Sequence, residues 1–229
     1  MAKPYKGLPM EGVIATWYAK NTAADLPRFT QTARILSERL RPGATVLEVA
    51  PGPGYLAIEM SKRGYSVTTL DISKTFVDIA RDNANRAGVA VDVWHGDAAH
   101  MPFGDASFDL VVCMAAFKNF SDPVSAIDEM HRVLRPGAQA SLSDLRKDAT
   151  RHEINAYVRQ MQLSAVNELL TRWTFRLLLL KRAYTRPQLE HLIARSRFGR
   201  GEIVVDGIGF ELRLRKEAAA WLNSPLADI

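Results

Sequence analysis

Residues 46–54 read Val46-Leu-Glu-Val-Ala-Pro-Gly-Pro-Gly54, and the next apolar run, residues 66–70, ends on an acidic residue, Asp71. The order is a β-rich apolar run, a glycine-rich turn, and a helical pattern opening at Tyr55. Gly52 and Gly54 let the backbone approach a ligand closely, and the helix start beside them has unpaired amides. A carboxylate, Asp71, waits at the tip of the neighbouring strand. The stretch therefore points to a nucleoside-containing ligand at the carboxyl ends of parallel strands.

Outward from this unit, strands and helices alternate. Before it, Phe29, Ala33, Ile35, Leu36 and Leu40 are spaced for an amphipathic helix over about 26–40, stopped by Arg41-Pro42-Gly43. After it come a helix over 55–63 ending at Gly64, a strand over 66–70, and a helix capped by Ser73 and closed by Gly88. A third strand is expected at 89–95 and a fourth at 108–114. The fourth is almost continuously apolar, as in a parallel sheet covered on both faces. Asp122-Pro123 opens the next helix, Arg135-Pro136-Gly137 ends it, and residues 138–143 form a fifth strand. This rhythm predicts a Rossmann-like, doubly wound α/β fold.

The rhythm breaks near residue 146. Apolar residues then recur at helical spacing through Leu180, and Thr185 with Gln188 forms a capping box for a further helix. Two β-like runs, 201–205 and 210–215, flank Asp206-Gly207 and should pair as an antiparallel hairpin. The expected organisation is an N-terminal helical lid (1–40), a ligand-binding core (41–146), a helical cap (147–185) and a C-terminal segment completing the sheet (186–229).

The chain has 229 residues, 47% hydrophobic and 24% charged, as expected for a globular protein with one main domain. Its one cysteine, Cys113, lies in the apolar fourth strand, so no internal disulfide framework exists. There is no signal-peptide pattern at the N-terminus and no run long enough to span a bilayer, which together give a cytoplasmic expectation. The net charge of +5 gathers after residue 145 without interleaved aromatics, so the balance is against a nucleic-acid partner.

Gly52-Pro-Gly54-Tyr-Leu-Ala57 fits the loose G-x-G-x-x-A pattern of dinucleotide sites. Glu48 argues against a pyrophosphate, because a carboxylate there would repel it, yet it can accept from an ammonium group or a water. Pro51 and Pro53 remove amide donors that a pyrophosphate would use. Asp97, in His95-Gly-Asp-Ala-Ala-His-Met-Pro-Phe103, is placed to hold a purine amine, and the terminal hairpin replaces a last parallel crossover.

Taken with Ser107-Phe108-Asp109 and the Val133–Gly137 stretch, these motifs make the chain resemble a class I S-adenosylmethionine-dependent methyltransferase, over roughly residues 10–215. The resemblance implies seven strands and S-adenosyl-L-methionine as cofactor, with no metal. It implies that Asp71 takes the ribose hydroxyls, Ile72 packs on adenine, and Asp97 holds the adenine amine beside Ala98. Gly52 and Gly54 would lie against the methionine moiety with Glu48 near its ammonium, and Met114 and Ala115 would line the methionine and acceptor side. Ala50 departs from the family, which usually has glycine there. Lys118-Asn-Phe-Ser-Asp122 is similar to a stretch of ubiquinone/menaquinone C-methyltransferases, and Tyr18 with Asn21 is similar to that group's N-terminal lid.

The implied acceptor is a small, partly apolar molecule, aromatic or quinone-like. An RNA or protein methyltransferase, or a non-catalytic cofactor-binding protein, is the alternative. Methyl transfer needs alignment, and a base only where the acceptor must lose a proton. Tyr18, His100 and Tyr157 are candidates for that base. A stripe of Met161, Leu163, Val166, Leu170, Trp173 and Phe175 suits packing on the core or, with Trp17 and Tyr18, the wall of an apolar acceptor pocket, in which case Arg159, Arg172 or Arg176 would meet an anionic acceptor. The oligomeric state, a homodimer included, stays open.

Overall fold

The computed structural model describes residue 6 and residues 9–160 and 179–218. The apolar stripe of 161–175, with Arg172 and Arg176, lies outside the described residues. Elements follow in the order α1 (Gly12–Thr22), α2 (Leu26–Ser37), β1 (Thr45–Val49), α3 (Tyr55–Lys62), β2 (Ser66–Asp71), α4 (Lys74–Arg86), β3 (Val91–His95), β4 (Phe108–Met114), α5 (Pro123–Val133), β5 (Leu134–Leu145), α6 (Arg151–Gln160), α7 (Arg186–Arg195), β6 (Glu202–Asp206) and β7 (Gly209–Arg215). The seven strands form one sheet in the order β3-β2-β1-β4-β5-β7-β6. β3 through β5 pair in parallel, and β7 is antiparallel to both β5 and β6.

Strand alternation explains how both faces are covered. Val46, Leu110 and Val112 turn to one face and pack with Phe29, Ala33 and Leu36 of α2 and Leu56, Ala57 and Met60 of α3. Leu47, Val49, Val111 and Cys113 turn to the other, against Ile127 and Met130 of α5 and Leu189 and Ile193 of α7. A strand buried on both sides has no polar face to show, which is why β4 reads as unbroken apolar sequence.

The caps hold largely as read. Ser73 accepts the Phe76 amide, Asp122 accepts the Ser125 amide, and Thr185 with Gln188 makes both bonds of a capping box. Two boundaries differ for reasons of local chemistry. β3 starts at Val91, because the Val89 amide bonds the Ala84 carbonyl and the Gly88 amide that of Asn85, a Schellman closure that uses Val89 for the helix end. α5 stops at Val133, before Arg135-Pro136-Gly137. Pro136 disfavours helical geometry at Arg135, so Leu134 is already extended and β5 begins there, with an irregular register between Phe108 and Leu110. Within the segment expected as a helical lid, the described residues form α1 (Gly12–Thr22) and α2 (Leu26–Ser37).

Candidate functional site

β1 is the point at which the strand order reverses. The loops leaving β1 and β4 diverge there, opening a crevice at the carboxyl ends of the strands. The loop after β1 forms its floor. Ala50, Gly52 and Gly54 all have positive φ, of 55°, 55° and 79°. The Ala50 amide is held by the Leu70 carbonyl (2.8 Å) and the Gly54 amide by that of Pro51 (3.1 Å). A Cβ on Gly54 would meet the Ala80 Cβ at 3.0 Å, so glycine there allows α3 and α4 to approach. A Cβ on Gly52 would stand 3.9 Å from the Tyr18 ring, filling the space between the loop and that side chain.

Asp71 ends β2 with its carboxylate turned back to this loop. Oδ1 accepts the Ser73 amide (2.8 Å) and Oδ2 the Gly52 amide (3.2 Å). Burial nevertheless pushes its pKa up to about 6. Glu48 is 3% exposed and its pKa is pushed further, to about 8, first by burial and then by the charge of Asp71. The Ala57 amide donates to its carboxylate, but Oε2 is buried with no partner. An orphaned buried acceptor costs about 1–3 kcal/mol. A proton or a cationic donor would satisfy it.

The remaining candidates lie one strand to either side. Ile72 is half-buried, and its carbonyl is bonded to His95 Nε2 at 3.1 Å, an arrangement that requires the proton on that nitrogen. Asp97 accepts the Ala99 amide (2.9 Å), and the Gly96 amide donates to the Asp71 carbonyl (2.9 Å), so the Asp97 turn is tied directly to Asp71. Ala98 packs partly into the core. His100 is exposed at the end of this turn, near Asp122 and Glu129 on the α5 side. Met114, half-buried, ends β4 across the crevice. Tyr18 stands edge-on to Phe76, at 5.8 Å between ring centres. Tyr157 is on α6, whose Ile154 and Val158 pack with Leu180 and Ile208. The structure thus brings Tyr18, Ala50, Gly52, Gly54 and Asp71 together, with Glu48 and Ile72 adjoining, and leaves His100 on the outer rim.

One feature escaped the sequence reading. Lys118, in the turn after β4, is buried against Asp144 near the end of β5. Its Nζ donates to Asp144 Oδ1 and to the Ala115 carbonyl, both at 2.7 Å, and its amide donates to Asp144 Oδ2 at 2.9 Å. Ala115 itself has a φ of 57°. The Cys113 thiol reports how crowded these strand ends are: its pKa is pushed up by burial and by Asp144, Glu48 and Asp71.

Residues 47–142 match the family model described as "Methyltransferase domain". The chain is 39% identical over 99 residues to a demethylmenaquinone methyltransferase of Deinococcus radiodurans, covering 42% of this chain and 41% of that protein. It is 36% identical over 107 residues to a ubiquinone biosynthesis O-methyltransferase of Pseudomonas paraeruginosa, covering 46% of each. The matches to these two relatives thus span less than half their length. Among solved structures, a SAM dependent methyltransferase from Aquifex aeolicus superposes with a TM-score of 0.62 over 80% of this chain and 87% of that one, at 20% identity. At that identity the likeness establishes the fold alone.

Proposed function

We propose that this chain, whose residues 47–142 match the methyltransferase domain, transfers a methyl group from S-adenosylmethionine to a small, partly apolar acceptor of aromatic or quinone-like character. The observation that carries the reading is the buried Glu48 carboxylate with its unpartnered oxygen, next to an Asp71 that already holds the glycine loop. A pyrophosphate would meet two acidic side chains there, whereas a cationic amino-acid nucleoside offers a donor to the orphan and hydroxyls to Asp71. The names of the relatives, both quinone-pathway methyltransferases, support the acceptor class.

When bound, the cofactor supplies an electrophilic methyl on a sulfonium, open to in-line displacement. The protein's contribution is alignment and water exclusion, worth on the order of 7–11 kcal/mol in favourable cases. Asp71 would bind the ribose and Asp97 the adenine amine, with Ile72 and Ala98 framing the base. Gly52 and Gly54 leave room for the methionine portion, and Glu48 takes its ammonium. Tyr18 roofs the loop, which makes it a better placed proton acceptor or donor than His100 on the rim. The segment 147–185 would cover the acceptor beside Met114.

Incubation with methyl-labelled S-adenosylmethionine and a cell extract tests the acceptor class. Label should appear in the fraction of apolar small molecules. Label confined to RNA or protein would overturn it.

A further inference from the structure

The turn from β2 into α4 is bonded more heavily than a helix start requires. Ser73 already caps α4 through the Phe76 amide at 3.1 Å. Glu11, remote in sequence, fills the remaining positions. Its Oε1 accepts the Lys74 amide (2.9 Å), and its Oε2 accepts the Thr75 amide (3.0 Å) and the Thr75 hydroxyl (2.5 Å). On either side, the Ser73 hydroxyl donates to the Met10 carbonyl (2.6 Å) and the Gly12 amide donates to Thr75 Oγ1 (2.9 Å). Met10, Glu11 and Gly12, the last two residues before α1 and its first, are thereby stapled to Ser73, Lys74 and Thr75, the three residues that follow Asp71 and Ile72.

What this staple positions is α1. The helix buries only Ala15 and Ala19 and leaves Val13 85% and Trp17 66% exposed. So little apolar burial holds it weakly, and polar bonds at its start must fix its place. From that start Tyr18 reaches Phe76 and the space above Gly52, and the Ala19 carbonyl accepts the Tyr55 hydroxyl at 3.3 Å. Partial burial raises the pKa of Glu11, but the bonds from Thr75 and Lys74 outweigh it and keep the carboxyl below its usual range. A charged acceptor at a helix N-terminus is also favoured by the helix dipole.

We infer that Glu11 is a positioning residue whose carboxylate latches α1 across the glycine loop and thereby sets how long a nucleoside stays in the crevice. The inference rests on the cofactor reading above. It is tested with S-adenosylhomocysteine as probe, on wild type, Glu11→Ala and Thr75→Val, the last removing the hydroxyl while preserving bulk. Dissociation rates are read by displacement in stopped flow, and amide exchange of α1 by mass spectrometry. Both variants should release the probe about tenfold faster or more, the effect of losing bonds to a charged group. Exchange should rise in α1 while the sheet amides keep wild-type protection, a pattern that general destabilisation would not give. Unchanged dissociation, or unchanged exchange in α1, overturns the latch alone. Wild type that fails to bind the probe overturns the cofactor reading and the latch with it.

Discussion

Glu48 and Asp71 are carboxyls whose folded-state pKa values, about 8 and about 6, lie above the ordinary values of 4.5 and 3.8. The folded, ligand-free protein therefore holds more protons than the unfolded chain between these limits. Stability from these groups is present on the acid side and is lost as pH rises toward 8. A pH series of thermal midpoints should fall over that window, and Glu48→Gln should flatten it; an equal slope in the variant would remove Glu48 as its cause. Binding runs the other way. A ligand ammonium group favours the ionised carboxyls, so affinity for S-adenosylhomocysteine, which carries one, should climb from pH 6 to about 8 and then level. Ala50 gives a separate prediction. Its φ of 55° costs an L-residue roughly 1–2 kcal/mol, partly offset by the greater unfolded freedom of glycine, so Ala50→Gly should stabilise the protein by about 0.5–1 kcal/mol in urea. Loss of stability would mean that the alanine methyl makes contacts worth more than the strain.

At the scale of elements, most of the sheet and its caps could be read directly, because they rest on local chemistry: alternation, a serine before a helix, a glycine after it. β3 and α5 were misbounded where one residue had two uses, Val89 as strand or as helix closure and Leu134 as helix or as strand. The glycine loop and Asp71 were legible for the same reason, being contiguous or one βα unit apart. Lys118 with Asp144 and Glu11 with Thr75 were not legible. The first pair meets where β4 and β5 run side by side and the second where the segment before α1 docks on the start of α4, and an isolated lysine or glutamate in sequence looks like a solvated one. The buried pair should matter to folding. Lys118→Met leaves Asp144 buried without its cation and should cost about 3–5 kcal/mol, while adding Asp144→Asn should recover part of this. A chemical-denaturation cycle of the two single variants and the double variant measures that coupling; strict additivity would show that the pair acts only through its separate backbone bonds.

Over the whole molecule, the sheet order sets Glu48 beside Asp71, and the bonds at the start of α4 bring Glu11 close to them, in a chain whose net charge is +5. The general charge balance thus says little about the ligand, and the local one says much: the crevice suits a neutral or cationic nucleoside. Among the described residues, no helix is long and apolar enough to cross a membrane, so an apolar acceptor would reach the crevice without a spanning anchor in those residues. The most direct test of the central claim is calorimetric titration of the protein with S-adenosylhomocysteine, repeated with NAD and with Asp71→Ala. The account predicts saturable binding of the sulfur nucleoside at one site, no binding of the dinucleotide, and affinity at least about tenfold weaker once the bonds to Asp71 are lost. No heat with the sulfur nucleoside, or equal affinity in the variant, would contradict it.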